Sequence, residues 1–273
     1  MKIRLLQLMR ALRRHWPHYL AEAAGLAFFV TSSSLLTLGL EHPASPLHQA
    51  LLAHDAGPVL RRVVLGIGMG LVLVVLTYNP WGKRSGAHIN PAITLAFWQL
   101  GKIQGADVCW YLLAQAGGGI GALLLLRVWL LPYYAHPLIH FMTTKPGPGG
   151  TGLAFAAEFG ISFGLMALLL FALYSAALKE ATGWLVGALV ASYIVWESPA
   201  SGMSLNPFRS LAAAIIAQDF ASLWVYLVAP TVAMWLAAVI FQRLYLTGKS
   251  RPAQPESTFP SAEPPRYPVS IAH

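Results

Sequence analysis

The chain predicts an all-α membrane protein of six transmembrane helices plus two re-entrant half-helices, arranged as an inverted repeat, and three observations carry that fold class. First, 56% of the 273 residues are hydrophobic and only 10% are charged, in long apolar runs, a composition that excludes a water-soluble domain. Second, Asn90-Pro91 and Asn206-Pro207 each open an apolar segment of about a dozen residues, about half of the roughly 20 that a bilayer-crossing helix requires. Third, sequence fragments of one half recur in the same order in the other, two of them at offsets of 115 and 116 residues.

The elements follow in order. Residues 1–18 form a basic N-terminus with Lys2, Arg4, Arg10, Arg13 and Arg14. The apolar run from Tyr19 to Leu40 is longer than a signal-peptide core and no small-x-small cleavage site follows closely, so it reads as a retained first span. Further spans fall at about 60–78, 108–131, 152–175, 182–198 and 222–246, by length and apolarity. The first repeat occupies 19–131, a connecting loop 132–150, and the second repeat 151–246. Residues 247–273 are polar and carry six prolines from Lys249 onward, which predicts a disordered tail.

With both termini on one side, 13 of the 18 Lys and Arg fall on that side and 5 on the other. This asymmetry predicts cytoplasmic termini in a multi-pass protein of the cell or inner membrane. The net charge of +8 sits at span ends rather than in a continuous stripe, so nucleic acid is not an expected partner. The single cysteine, Cys109, excludes an internal disulfide framework.

Trp110-Tyr111-Leu112-Leu113-Ala114-Gln115 is echoed by Val225-Tyr226-Leu227-Val228-Ala229-Pro230 at an offset of 115, and the two Asn-Pro pairs lie 116 residues apart. Ala21-Glu22-Ala23-Ala24-Gly25 matches Ala157-Glu158-Phe159-Gly160 more loosely. Three spans per half insert the second copy upside down, which places a site near the midplane where interrupted helices meet. Asn is a favoured N-cap, and Pro suits the first helical position because its missing N–H has no intrahelical partner there. Two short helices entering from opposite faces present their positive ends to each other, which opposes cations. Irregular backbone at that depth requires burial in protein or a water-filled cavity.

The paired Asn-Pro segments, the glutamates in the first and fourth spans and the run Asn206-Pro207-Phe208-Arg209-Ser210 together resemble the major intrinsic protein family, the aquaporins and glycerol facilitators. The resemblance covers about residues 15–247 and is to a bacterial-type member with a divergent second motif. It implies one pore per protomer, usually in a homotetramer. It also implies motif asparagines, Asn90 and Asn206, that donate hydrogen bonds to a permeating oxygen, beside Pro91, Ala92, Pro207 and Phe208. Arg209 matches the arginine of the outer constriction, with five fixed donors and a permanent charge. Glu22 and Glu158 match glutamates that hold the re-entrant loops. His88 matches a histidine common before the first motif, as a loop support or a pore-lining ring.

The departures bear on the permeant. Phe208 stands where the family usually has alanine, and an added ring there must rotate aside, separate the tips or narrow the path. Counting from the motifs, the other constriction positions are Ile194, Met203 and Gly70, or Met69 if the stretch Asn79 to Arg84 is one residue longer than the family pattern. An apolar lining beside one arginine suits glycerol as well as water, yet Ser210 stands where glycerol-selective members commonly carry aspartate.

The expected function is a passive channel for water and small uncharged solutes such as glycerol, excluding ions and protons. The alternative is a non-conducting structural membrane protein of the same fold, motivated by Phe208. An enzyme is not expected, since the spans carry no paired aspartates, metal-ligand histidine cluster or Ser-His arrangement, and no metal or cofactor is called for. The histidines, such as His42, His48, His54, His136 and His140, read as solvated loop residues rather than a weak metal site or pH gate.

Overall fold

The computed structural model describes residues 5–53 and 57–246. The Pro-rich tail and its expected disorder, with Lys2, Arg4 and His54, lie outside the described residues.

The described chain is helical throughout, without strands. In the first half, α1 (Leu5–Glu41) is followed by α2 (Pro46–Leu52), α3 (Gly57–Tyr78), α4 (Pro80–Ser85), the half-helix α5 (Pro91–Gln99) and α6 (Gly105–Tyr134). The second half runs through α7 (Gly150–Leu173), α8 (Thr182–Trp196), α9 (Ser198–Ser201), the half-helix α10 (Pro207–Ala217) and α11 (Leu223–Phe241), with a π turn at Gln242–Leu246. Omitting α2, the two halves match element for element.

Among the described residues, five helices are long and apolar enough to cross a membrane. The sixth predicted span, α8, has 15 residues, about 22 Å. It packs extensively along α3 because glycines allow the backbones to approach: a Cβ on Gly70 would lie 2.7 Å from the Gly187 carbonyl oxygen, and one on Gly187 would lie 2.7 Å from that of Gly70. The other extensive pairings are α1 with α6 and α7 with α11, the first and last helices of each repeat. Each half-helix packs across the repeats, α5 on α11 and α10 on α6, as well as on the last helix of its own repeat.

Two predicted boundaries change. Residues 5–18 are not a separate N-terminal segment but continue the first span as one 37-residue helix with Pro17 inside it. Tertiary contacts hold this extension: the Trp110 indole N–H donates to the Leu8 carbonyl, and Asp107 accepts from the Tyr19 hydroxyl at 2.6 Å and lies 2.8 Å from His15 Nδ1. The connecting segment also starts later than residue 132, because α6 continues through Pro132 to Tyr134 past a non-helical Leu130. It then makes a tight turn at His140–Met142, whose three residues all have positive φ.

Candidate functional site

The half-helices have 9 and 11 residues, about 14 and 16 Å, and each starts at its Asn-Pro pair. The Asn90 side-chain oxygen accepts from the Ala92 N–H, and that of Asn206 accepts from the N–H groups of Phe208 and Arg209. Both therefore cap their own helices. The amide nitrogens reach across the junction. Asn90 Nδ2 donates to the Leu205 carbonyl and Asn206 Nδ2 to the Ile89 carbonyl, both at 2.8 Å. A side-chain NH2 has two donors, and each asparagine spends one on the opposite loop. The second is left for the cavity that both residues line.

The loops before the caps are held by a duplicated apparatus. Gly86 and Gly202 take left-handed φ of 88° and 82°, conformations that a glycine adopts without steric cost. Ala87 and Ile89, like Met203 and Leu205, have φ between 49° and 56° without being glycine. Such residues cost on the order of 1–3 kcal/mol each and persist only where surrounding contacts over-determine them. The contacts here are buried carboxylates. Glu22 accepts from the N–H groups of His88 at 3.0 Å and Ile89 at 2.6 Å, and from the Gln115 amide at 2.7 Å. Glu158 accepts from the N–H groups of Ser204 at 2.5 Å and Leu205 at 3.0 Å, and from the Ser201 hydroxyl at 2.9 Å. Tyr111 and Tyr226 complete the symmetry, donating to the carbonyls of Ser85 and Ser201.

A cavity of about 550 Å³ runs past this junction, with Glu41, Arg62 and Lys145 at one end and Thr77 and Thr182 at the other. Asn90 and Asn206 line it between apolar walls that include Leu73, Leu165 and Val190. Of the predicted constriction residues, Met69, Ile194, Met203 and Arg209 all border the cavity. Arg209 Nη1 donates to the Thr144 hydroxyl. His88 also lines the cavity, its ring stacked 4.9 Å from Phe97 with Nδ1 3.2 Å from the Thr94 hydroxyl, while its backbone N–H binds Glu22.

Gly70, Phe208 and Ser210, by contrast, do not line the cavity. Gly70 is buried in the α3–α8 contact and Met69 takes the cavity position, in accord with the extra residue in the Asn79 to Arg84 stretch. Phe208 does not face the cavity: its ring packs in the apolar cluster with Leu26, Leu123 and Ile216. One residue along a helix is a turn of about 100°, so with Arg209 toward the cavity Phe208 points to α1 and α6. Ser210 is likewise turned away and buried, bonded to the hydroxyls of Thr144 and Ser204. Its identity therefore carries no direct argument against glycerol.

Residue-by-residue reading of the sequence passed over Gln115, Thr144 and the tyrosine pair. The tyrosines sit inside the repeated hexapeptide, so the repeat itself marked them; Thr144, in a loop without a counterpart, carried no signal. Cys109 is partly exposed on α6 and does not line the cavity. Among the described residues no group of three or more His, Cys, Asp or Glu is arranged to hold a metal ion.

Inverted repeats with half-helices capped against each other beside a long cavity define a class of multi-pass membrane proteins. Residues 10–241 match the family description "Major intrinsic protein", and the chain belongs to that family. It is 38% identical over 183 residues to aquaporin NIP1-2 of Oryza sativa subsp. japonica, covering 66% of this chain and 60% of that one. It is 34% identical over 190 residues to aquaporin NIP1-1 of Arabidopsis thaliana, covering 68% of this chain and 63% of that one. The chain thus spans less than two-thirds of the length of these relatives. The fold matches the X-ray structure of the aquaglyceroporin from Plasmodium falciparum with a TM-score of 0.70 at 18% identity, over 86% of this chain and 98% of that one.

Proposed function

We propose that the protein is a passive transmembrane channel for water and small uncharged solutes such as glycerol, and that it excludes ions and protons. The carrying observation is the pair of asparagine amides tied across the junction, each with one N–H left to the cavity. An oxygen passing between them accepts two hydrogen bonds and turns its own hydrogens outward, which interrupts a proton wire. The positive ends of the half-helices raise the energy of a cation at the same point. Outside that point, Arg209 with Met69, Ile194 and Met203 forms the selecting constriction, whose donors and apolar faces suit the hydroxyl and carbon sides of glycerol. Glu22, Glu158 and His88 hold the loops. The homologues named as aquaporins and the fold shared with an aquaglyceroporin support the same reading.

Both termini are placed in the cytoplasm and the protein in the cell or inner membrane, following the distribution of Lys and Arg. The active assembly is a homotetramer with a pore in each protomer, as the family resemblance implies. Repeats 19–131 and 151–246 are its two halves.

Stopped-flow light scattering on proteoliposomes tests this reading. Sucrose-driven shrinkage and glycerol uptake are both expected to exceed those of protein-free vesicles. Rates equal to the lipid leak in both gradients would instead leave the non-conducting structural reading. With Phe208 packed away from the cavity, that reading loses the residue that motivated it. Phe208→Ala is accordingly expected to lower stability by about 1.5–2.5 kcal/mol, roughly half the cost at a fully buried site. Water permeability per folded protein should stay the same; a rise on removal of the ring would place it in the path.

A further inference from the structure

An arginine selects by direction only if its guanidinium is held, and the structure ties Arg209 to a residue outside both motifs. Thr144 borders the cavity, is 8% exposed and accepts a hydrogen bond from Arg209 Nη1. Its hydroxyl lies 2.9 Å from that of Ser210, which lies 2.6 Å from that of Ser204, and Ser204 donates to the Asn206 carbonyl at 3.1 Å.

A hydroxyl has one hydrogen to give, so the direction of every link is determined. Ser204 spends its hydrogen on the Asn206 carbonyl, and Ser210 must therefore donate to Ser204. Thr144 must then donate to Ser210, which leaves its lone pairs for Arg209. The chain runs one way, from the guanidinium through Thr144, Ser210 and Ser204 to the cap of the half-helix that carries Arg209.

Resting on the reading of Arg209 as the constriction arginine, we propose that Thr144 is a positioning residue that sets the direction of the Arg209 donors and so the channel's preference for hydroxyl-bearing solutes. The segment around it is fastened independently. The Gly147 N–H donates to the Ala200 carbonyl at 2.9 Å, and Lys145 lies 2.9 Å from Asp219, whose carboxyl it holds below the usual carboxylate range. That ion pair is exposed enough to contribute little. The hydroxyl chain and the backbone bond are thus the main fastenings.

The test uses the full chain in proteoliposomes, comparing wild type with Thr144→Val, Thr144→Ser and Ser210→Ala. Valine keeps the volume and removes the hydroxyl. The ratio of glycerol to water permeability is expected to fall about three- to tenfold in Thr144→Val, the change one hydrogen bond makes to a barrier, and to return in Thr144→Ser. Ser210→Ala, which strands the Thr144 hydrogen, should shift the ratio the same way by less, and it carries the test if the valine variant fails to fold. The same ratio in every folded variant, including one indistinguishable from zero, overturns the proposal, as does Thr144→Ser behaving like the valine form. Wild-type shrinkage in sucrose reads conduction separately: an unchanged ratio with intact water flow removes this assignment alone, whereas absent water flow removes the channel reading and this assignment with it.

Discussion

Glu158→Ala is expected to destabilise the protein by about 4–9 kcal/mol and to abolish water permeability in whatever folded fraction remains. The carboxylate is fully buried and accepts from two backbone N–H groups and the Ser201 hydroxyl. Hydrogen bonds to a charged group contribute about 1.5–3 kcal/mol each, and removing the acceptor leaves the donors buried and unpaired. Against a net stability of roughly 5–15 kcal/mol, that loss is a large share of the total. The strained left-handed residues Met203 and Leu205 would lose the contact that over-determines them, and the Asn206 cap would lose its position. Glu158→Gln should cost less, since the amide oxygen can still accept while its NH2 faces donors. Thermal unfolding in detergent, followed by tryptophan fluorescence, measures the stability, and vesicle shrinkage the function. Glu22→Ala should behave alike, because Glu22 plays the same part in the other repeat. Wild-type stability and flow in the Glu158 variant would refute the scaffold role.

Arg209→Val is expected to admit neutral solutes larger than glycerol, such as ribitol, while protons remain largely excluded. Two barriers act in series along the cavity. A unit charge at 4 Å in an effective dielectric of 20 raises the energy of a monovalent cation by about 4 kcal/mol, and the substitution removes that barrier. The half-helix ends at the junction, each worth roughly half an elementary charge, are untouched, and so are both asparagines. In series the remaining barrier still governs ion flux. Removal of the guanidinium and of its donors, by contrast, leaves nothing to select among neutral molecules at the outer constriction. Uptake of a graded polyol series, with a pH-sensitive dye trapped in the vesicles, separates the two effects. A polyol cut-off identical to wild type would take Arg209 out of the constriction, and a proton leak as large as that of an open pore would take the barrier away from the junction.

Much of this architecture was legible because it follows from local rules that a bilayer enforces. The Asn-Pro pairs announced helix starts, since side-chain capping and a proline at the first position are properties of two adjacent residues. Glu22 and Glu158 stood out because an isolated carboxylate in an apolar run demands buried donors, and the chain offers them in the loops. Counting along the sequence left the choice between Gly70 and Met69, and the direction of Phe208, open for a single reason. A count gives the position along a helix but not its rotation, and one residue changes the face by about 100°. The continuation of the first span back to Leu5 rested on contacts with α6, at Leu8, His15 and Tyr19, about a hundred residues away in sequence.

From its sequence alone, then, this protein had its membrane class, its inverted repeat, its two half-helices and the four polar residues at their roots. Each of these expresses hydrophobic length, capping or the cost of an unpaired polar group, which nearby residues decide. The tertiary structure alone decided that Phe208 leaves the cavity clear, that Met69 rather than Gly70 lines it, and that Thr144 holds Arg209. Those three depend on how helices rotate and how a loop from mid-chain folds back over the second motif, and packing between distant segments determines both.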